Sequence, residues 1–509
     1  MGQFDGKSAP ITGLGDIEKP HIHHDDVAEK KLETGYIADH TGSHHKSKEE
    51  RTLVMKIDLV IIPLCSLLYL VAYLDRNSIG NARTLGMQKD LNLSTKQWGN
   101  CLSLFYIGYM IFMLPGNILL RKLTPHRQLG ACAIVFGAFL LGMSGAANYA
   151  TVLTLRIFIG ASQAFIQGLS LYSTLWYKRD EVATRGAIIY MAAIIAGSFS
   201  GFIAYGVGKN LRVDNTGRLS WSWLFIIEGA MCMAVGVATW LILPTFPDKL
   251  NRKHWLFTPA EIDLAKERSA SYNTLGSKIN VKQIIITLIE PKAWAFATIN
   301  AGVALGISSI STFLPTFIQA FGYSRERTQL FSAIPYACAI VAIPLCIISD
   351  RINHKGSFLI GTLSVACIGY IILLCNVSQG ANIAGACLAT TGLYPSIIIL
   401  SAWITINAGG YTKRATNWAM AEIVGQLLSV LGAYIYDVPP RFLKGHSIVL
   451  ALLALGIVNC LYLMWWMRRA NLRREMELIE YEREGRVHPH TNMSLEEVQD
   501  LHVRFRYIL

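Results

Sequence analysis

The sequence predicts an all-α integral membrane protein with twelve transmembrane helices in two pseudo-symmetric six-helix bundles. Three observations predict it. Apolar runs long enough to span a bilayer recur along most of the 509-residue chain; a hydrocarbon core of ~30 Å takes about 20 helical residues. Hydrophobic residues make up 52% of the chain and charged residues only 16%, against ~25% charged in soluble domains. The runs fall into two sets of six, separated by a polar stretch at 244–292.

Taken in order, residues 1–52 are polar and read as a disordered cytoplasmic tail. Its histidines, His21, His23, His24, His40, His44 and His45, are irregularly spaced and have no cysteine among them, so no metal site is expected there. No cleavable signal pattern precedes the first apolar run, which is expected to serve as the insertion signal. The N-terminal bundle, 53–243, places helices at 55–74, 97–119, 128–147, 151–172, 186–207 and 221–243. In the cytoplasmic linker, 244–292, Thr258-Pro259-Ala260-Glu261 reads as a helix start: Thr258 as N-cap, Pro259 at the first helical position and Glu261 at the third. The C-terminal bundle, 293–468, places helices at 293–319, 328–348, 357–375, 382–404, 415–437 and 446–467. The remaining tail, 469–509, is charged, with helical character over 472–484.

The formal net charge is +12. In a soluble protein such an excess would raise nucleic acid as a partner. Here the base lies in short loops and tails, where it orients helices against the lipid bilayer. Arg121, Lys122, Arg127, Arg185, Arg351, Lys355, Lys413, Arg414 and Arg468 collect on one side; the loops 147–151 and 376–382 opposite have neither Lys nor Arg. Arg212, Arg218, Arg325 and Arg327 run against the bias. The balance puts both termini and the linker in the cytoplasm. All ten cysteines fall within apolar segments without a CxxC, so neither a disulfide framework nor a zinc site is supported.

Arg76 ends one apolar run and Arg156 lies inside another. A bare guanidinium in hydrocarbon costs from ~3 to over 10 kcal/mol, so such a residue faces a protein-lined cavity or a partner charge. Two in the same half point to a cavity built for an anion. A weak internal repeat accompanies them. Pro115-Gly116-Asn117, Arg121-Lys122 and His126-Arg127 in one half correspond to Pro344, Ser349-Asp350-Arg351 and His354-Lys355-Gly356 in the other. Halves related in this way mark one large transporter class.

With its twelve helices and these basic turns, the chain resembles the major facilitator superfamily. Asn117 departs from the aspartate usual near that position. A narrower likeness rests on Tyr73-Leu74-Asp75-Arg76-Asn77-Ser78-Ile79-Gly80-Asn81, Arg156-Ile157-Phe158-Ile159-Gly160, Trp176-Tyr177-Lys178-Arg179, Trp223-Leu224-Phe225-Ile226-Ile227-Glu228-Gly229, Trp403, Asn407, Gly410, Lys413-Arg414 and Pro440-Arg441-Phe442. Together these resemble the anion:cation symporter family, and within it the fungal allantoate/nicotinate permease branch. The resemblance implies the major facilitator fold and proton-driven uptake of a small organic anion, usually a carboxylate. It implies no cofactor.

On that reading Arg156 and Arg76 are substrate ligands, since a guanidinium fork matches a carboxylate bidentately. The alternatives are a structural ion pair for Arg156 and an interfacial pair with Asp75 for Arg76. Many relatives carry a glutamate seven residues after the fourth-helix arginine, thought to hold the coupling proton; here that position is Gln163. Arg156, Gln163 and Gln167 share a polar stripe, but glutamine cannot titrate. Proton coupling is then left to Asp75, Glu422 or Glu228, with helix packing as the plainer reading of Glu228. Otherwise coupling is lost, and the protein is a facilitator or an exporter of an acidic metabolite. Tyr190, Asn300, Tyr394 and Asn407 are further candidate substrate ligands, and Tyr106, Tyr172 and Trp403 also qualify; for most of these seven, interfacial anchoring or packing is the plainer reading. Asp350 and Arg351 are expected to form a cytoplasmic gating latch. Gly197 and Gly201 form a GxxxG spacing suited to a close helix crossing, and Asn92 and Asn376 begin N-x-S sequons.

The function expected is a monomeric secondary transporter of the plasma membrane whose partners are an organic anion and protons. A non-transporting receptor on the same fold is the reading from another class. An enzyme is not expected, because no nucleotide loop, metal constellation or nucleophile motif is present.

Overall fold

A computed structural model describes residues 47–177, 179–211, 213–251, 255–270, 281–409, 411–436, 441–486, 488–490, 500, 502 and 505–509. The tail 1–46 with its histidines, and Lys178, Gly410 and Pro440 of the motifs, lie outside the described residues. Residues 1–54 form one unit, and Met55–Leu509 form the other, which carries the architecture below.

Twelve helical spans follow one another among the described residues. They are α1 (Lys48–Thr84), α2 (Thr95–Lys122), α3 (Pro125–Met143), α4 (Tyr149–Ile166, resuming after Gln167 as Gly168–Trp176), α5 (Arg179–Asn210) and α6 (Ser220–Ile242). The second set comprises α7 (Pro291–Ala320), α8 (three consecutive pieces, Arg325–Phe331, Ala333–Ala342 and Pro344–Ile352), α9 (Lys355–Cys375), α10 (Gln379–Ile406), α11 (Tyr411–Ile435) and α12 (Leu443–Arg483). Eleven spans are long and apolar enough to cross a membrane. The other, α2, is 28 residues long; its apolar run is diluted by Tyr106, Gly108, Tyr109, Pro115, Gly116 and Asn117.

Local chemistry sets the ends. Ser94 and Gln97 form a reciprocal capping box on α2, Asn148 accepts from Thr151 N at the head of α4, and Ser378 accepts from Ala381 N on α10. Pro125 and Pro291 open α3 and α7, where a missing N–H costs nothing. Asn353 and Asn376 close α8 and α9 at φ 61° and 48°, a conformation asparagine tolerates better than most residues.

The internal repeat is visible in the packing. In the first half α3 packs on α6, α2 on α4 and α3 on α4; in the second α9 packs on α12, α8 on α10 and α9 on α10. Glycines permit the close crossings. A Cβ at Gly137 would lie 2.7 Å from the Gly229 carbonyl, and one at Gly369 would lie 2.6 Å from that of Gly385. Across the halves, α2 packs on α11 and α5 on α8 and α10. Gly197 and Gly201 serve the α5–α8 crossing: they lie under the Tyr336 ring and against Ser332, as their spacing predicts.

Contacts between the halves gather at the end opposite the chain termini. There Tyr336 donates to Asn77 Oδ1 at 2.7 Å, Tyr434 donates to Asn100 Oδ1 at 2.8 Å, and Gln329 donates to Thr84. Gly80 of α1 lies directly beneath the Thr312 carbonyl of α7.

Three differences from the sequence reading matter. First, α1 does not end at 74; it continues to Thr84, so Asp75 and Arg76 sit inside the helix, about 12 Å short of its end at 1.5 Å per residue. The polar residues beyond Leu74 look like a helix end but face protein: Asp75, Asn77, Ser78 and Asn81 are all buried. Second, the linker holds a second helix, Val281–Ile289, besides Pro259–Ala270, whose Thr258–Glu261 capping box forms as read. It exposes Ile285, Ile286, Leu288 and Ile289, the signature of a helix lying along an interface. Third, the C-terminal tail returns to the helices at its described residues. α12 runs unbroken to Arg483, and Asp500, Tyr507 and Ile508 are buried.

Candidate functional site

Arg156 of α4 and Asp75 of α1 form an ion pair at 3.1 Å, exposed by only 2% and 0%. Nε and Nη2 of Arg156 have no hydrogen-bond partner among the described residues. One residue on, Arg76 turns to a different set of neighbours. Its Nε donates to Gln163 Oε1 at 3.0 Å, and its guanidinium lies over Tyr73, Phe105 and Tyr109 at 4.8, 5.3 and 5.0 Å from the ring centroids. Cation–π attraction holds it without neutralising it. Its Nη2 is buried and makes no hydrogen bond among the described residues.

The stripe read on α4 meets α1 turn by turn. Arg156 takes Asp75, Gln163 donates to the Ala72 carbonyl while accepting from Arg76, and Gln167 accepts from Tyr69 at 3.3 Å. Tyr69, Tyr73 and Tyr190 of α5 form one aromatic cluster, with the Tyr73 and Tyr190 hydroxyls 3.4 Å apart. Gln163 therefore fixes Arg76 through a neutral acceptor, and the charge of Arg76 stays uncompensated by it.

The second half faces this cluster with Glu422, Asn300 and Tyr394. Glu422 accepts from Gln426 at 3.4 Å and lies within electrostatic reach of Arg76, Tyr109 and Tyr190. Asn300 donates to the Ala421 carbonyl beside it. Tyr394 meets Ser311 at 3.5 Å and interacts with Tyr73 and Arg76 across the halves. Tyr106 reaches Ser308 and Thr312 of α7. Between the halves there thus come together, among the described residues, one guanidinium with no carboxylate bonded to it, one carboxylate with no cation bonded to it and a lining of phenols.

Other sequence candidates go elsewhere. Glu228 is fully buried in the first half, hydrogen-bonded to Ser78, which also meets Ser200, away from the Arg76 cluster. Tyr172 donates to the Pro244 carbonyl at the foot of α6. Asn407 is not a chamber residue: its side chain exchanges two hydrogen bonds of 2.8 and 2.9 Å with the Ile508 backbone, and Trp403 donates to the same carbonyl. The returning tail takes them both, a contact about a hundred positions away that no local pattern discloses. Arg351 is exposed at the end of α8, and the side chain of Asp350 lies outside the described part, so the latch remains a proposal.

No local pattern in the sequence marks Asp500 or its grouping with the surrounding charges. Asp500 binds Lys292 and Lys413 at 2.6 Å each and accepts from Tyr507 at 2.7 Å, while Glu290 meets the same lysines at 3.2 and 2.8 Å. At the corresponding end of the first half, Asp58 takes a bidentate pair from Arg185 at 2.7 and 2.8 Å.

The sequence model described as Major Facilitator Superfamily matches residues 65–433. The high-affinity nicotinic acid transporter of Saccharomyces cerevisiae is 28% identical over 469 residues, covering 90% of this chain and 85% of that protein. The MFS transporter prlL of a fungal species is 31% identical over 464 residues, covering 88% and 92%. The major facilitator-type transporter hxnP of Emericella nidulans is 27% identical, covering 86% and 90%. Among solved structures, a D-xylose–proton symporter superposes with a TM-score of 0.61 at 16% identity, over 81% of this chain and 97% of that one. A bacterial homolog of the human lysosomal transporter Spinster, inward-facing, gives 0.59 at 15% identity, over 79% and 95%. Both structures share the fold.

Proposed function

This chain belongs to the major facilitator superfamily of membrane transporters, and from that premise we propose that it carries a small organic carboxylate into the cell together with a proton. The observation that carries the reading is Arg76: a guanidinium between the halves, ringed by three aromatic rings, with a buried Nη2 that has no hydrogen-bond partner among the described residues. Such an atom costs about 1–3 kcal/mol unpaired, and a carboxylate oxygen repays it. The surrounding rings suit a flat acid, consistent with the similarity to a nicotinic acid transporter. Arg156, already engaged by Asp75, acts as a positioning residue.

Glu422 is the proton site in this scheme. An anion bound to Arg76 cancels the positive field that favours ionised Glu422, so anion and proton bind cooperatively. Once both are neutralised the halves rock about the chamber. With the halves joined at the end opposite the termini, and the termini cytoplasmic by the positive-inside bias, the closed end in this state faces away from the cytoplasm. The site of action is the plasma membrane.

The test is uptake of labelled nicotinate and a panel of competing monocarboxylates at two pH values in cells expressing the chain. Saturable uptake that rises as external pH falls supports the reading. Efflux without uptake assigns the opposite direction; indifference to every acid tested removes the substrate class.

A further inference from the structure

α12 is 41 residues long, about 61 Å at 1.5 Å per residue and so roughly twice the hydrocarbon thickness. Its apolar part, 446–467, ends in Trp465 and Trp466; Arg468, Arg469, Arg473 and Arg474 follow within two turns. Tryptophan settles at headgroup level, which holds these guanidiniums at the depth of lipid phosphates.

At this point the structure has a cleft of about 350 Å³, lined by Trp465, Trp466, Arg469, Arg473, Arg474 and His488, with one acid, Glu477, on its wall. Arg474 is engaged by the returning tail, donating to the carbonyls of Phe505 and Asp500, and Tyr507 packs on Trp466 at 5.4 Å. Arg469 lies 4.2 Å over Trp465. Neither Arg469 nor Arg473 forms an ion pair among the described residues. Below the cleft, Leu455, Val458, Tyr462 and Trp465 are 45, 59, 41 and 52% exposed. Their spacing of three and four residues makes one stripe along the helix, and the next residues on that stripe are Arg469 and Arg473. An apolar track thus leads directly to two guanidiniums with no acid paired to them among the described residues.

We propose that this cleft binds the phosphate-bearing headgroup of an anionic membrane phospholipid. The acyl chains lie along the exposed stripe, the phosphate oxygens take the forks of Arg469 and Arg473, and the indole of Trp465 covers the glycerol region. A soluble phosphate would use the guanidiniums but leave the track uncovered, which separates the two sources of the same chemistry.

The test uses full-length, delipidated protein in detergent. Micellar phosphatidylinositol, phosphatidylcholine and, separately, inorganic phosphate are added, and retained molecules are counted by native mass spectrometry. Retention of phosphatidylinositol at least tenfold above phosphatidylcholine is expected. It should fall at least fivefold in Arg469→Gln/Arg473→Gln, recover in part in the double Lys variant, and stay unchanged in Arg483→Gln, further along the same helix. If the double Gln variant does not accumulate, Arg469→Glu alone gives the same readout. Equal retention of both lipids, retention unaffected by Arg469 and Arg473, or displacement of lipid by millimolar inorganic phosphate each overturns the proposal.

Discussion

Arg76, Gln163 and Glu422 set the charge balance of the chamber. Arg76→Lys keeps a positive charge but loses the planar fork and its stacking on three rings; uptake is expected to fall at least tenfold with normal surface expression. Gln163→Glu would put a carboxylate where Arg76 Nε now finds a neutral acceptor. The new ion pair competes with substrate, so a rise in apparent KM of about tenfold is expected, about 1.4 kcal/mol. Glu422→Gln removes the chamber carboxylate without changing its shape, and a flat pH profile of uptake is expected; a wild-type profile would exclude Glu422 as the proton site. The arginines and the α4 stripe are readable in sequence because polar side chains in apolar runs are costly and so informative. Asn407 misleads for the same reason: it is polar within an apolar stretch, but its partner is the Ile508 backbone.

Helix crossings decide which states the bundle can reach. Gly80 is the tightest inter-half approach: a Cβ there would sit 2.2 Å from the Thr312 carbonyl, which is backbone and cannot swing aside. Gly80→Val is therefore expected to hold the halves apart at this end. A cysteine introduced at Thr84 should then react several-fold faster with a membrane-impermeant maleimide than in the Gly80 background. The number, order and caps of the helices follow from apolar run length and from residues such as Ser94 and Asn148. The length of α1 does not, because Asp75 to Asn81 are polar toward protein, and sequence alone does not separate that from polar toward water. Val281–Ile289 is too short to read as a span and lies within a charged stretch, so its apolar face emerges only in the fold.

For the whole molecule, the folded tail matters most. Burial would raise the Asp500 carboxyl, but Lys292 and Lys413 outweigh it and hold it well below the usual carboxylate range. A depressed folded-state pKa means that the stabilisation is complete above the unfolded value of about 3.9 and is lost only as pH falls through the folded one. The contribution of Asp500 to tail docking should therefore be constant from about pH 5 to 8, so a pH response of transport in that window does not originate at Asp500. Asp500→Asn leaves two buried lysines sharing Glu290 alone and is expected to cost about 3 kcal/mol, read as a lower thermal unfolding midpoint. The same segment is bonded to the base of α7 through Lys292, to the α10–α11 turn through Asn407 and Lys413, and to α12 through Asn471 and Arg474. A fluorophore fused behind Leu509 would consequently report rigid travel of one lobe during turnover, not the wagging of a loose strand.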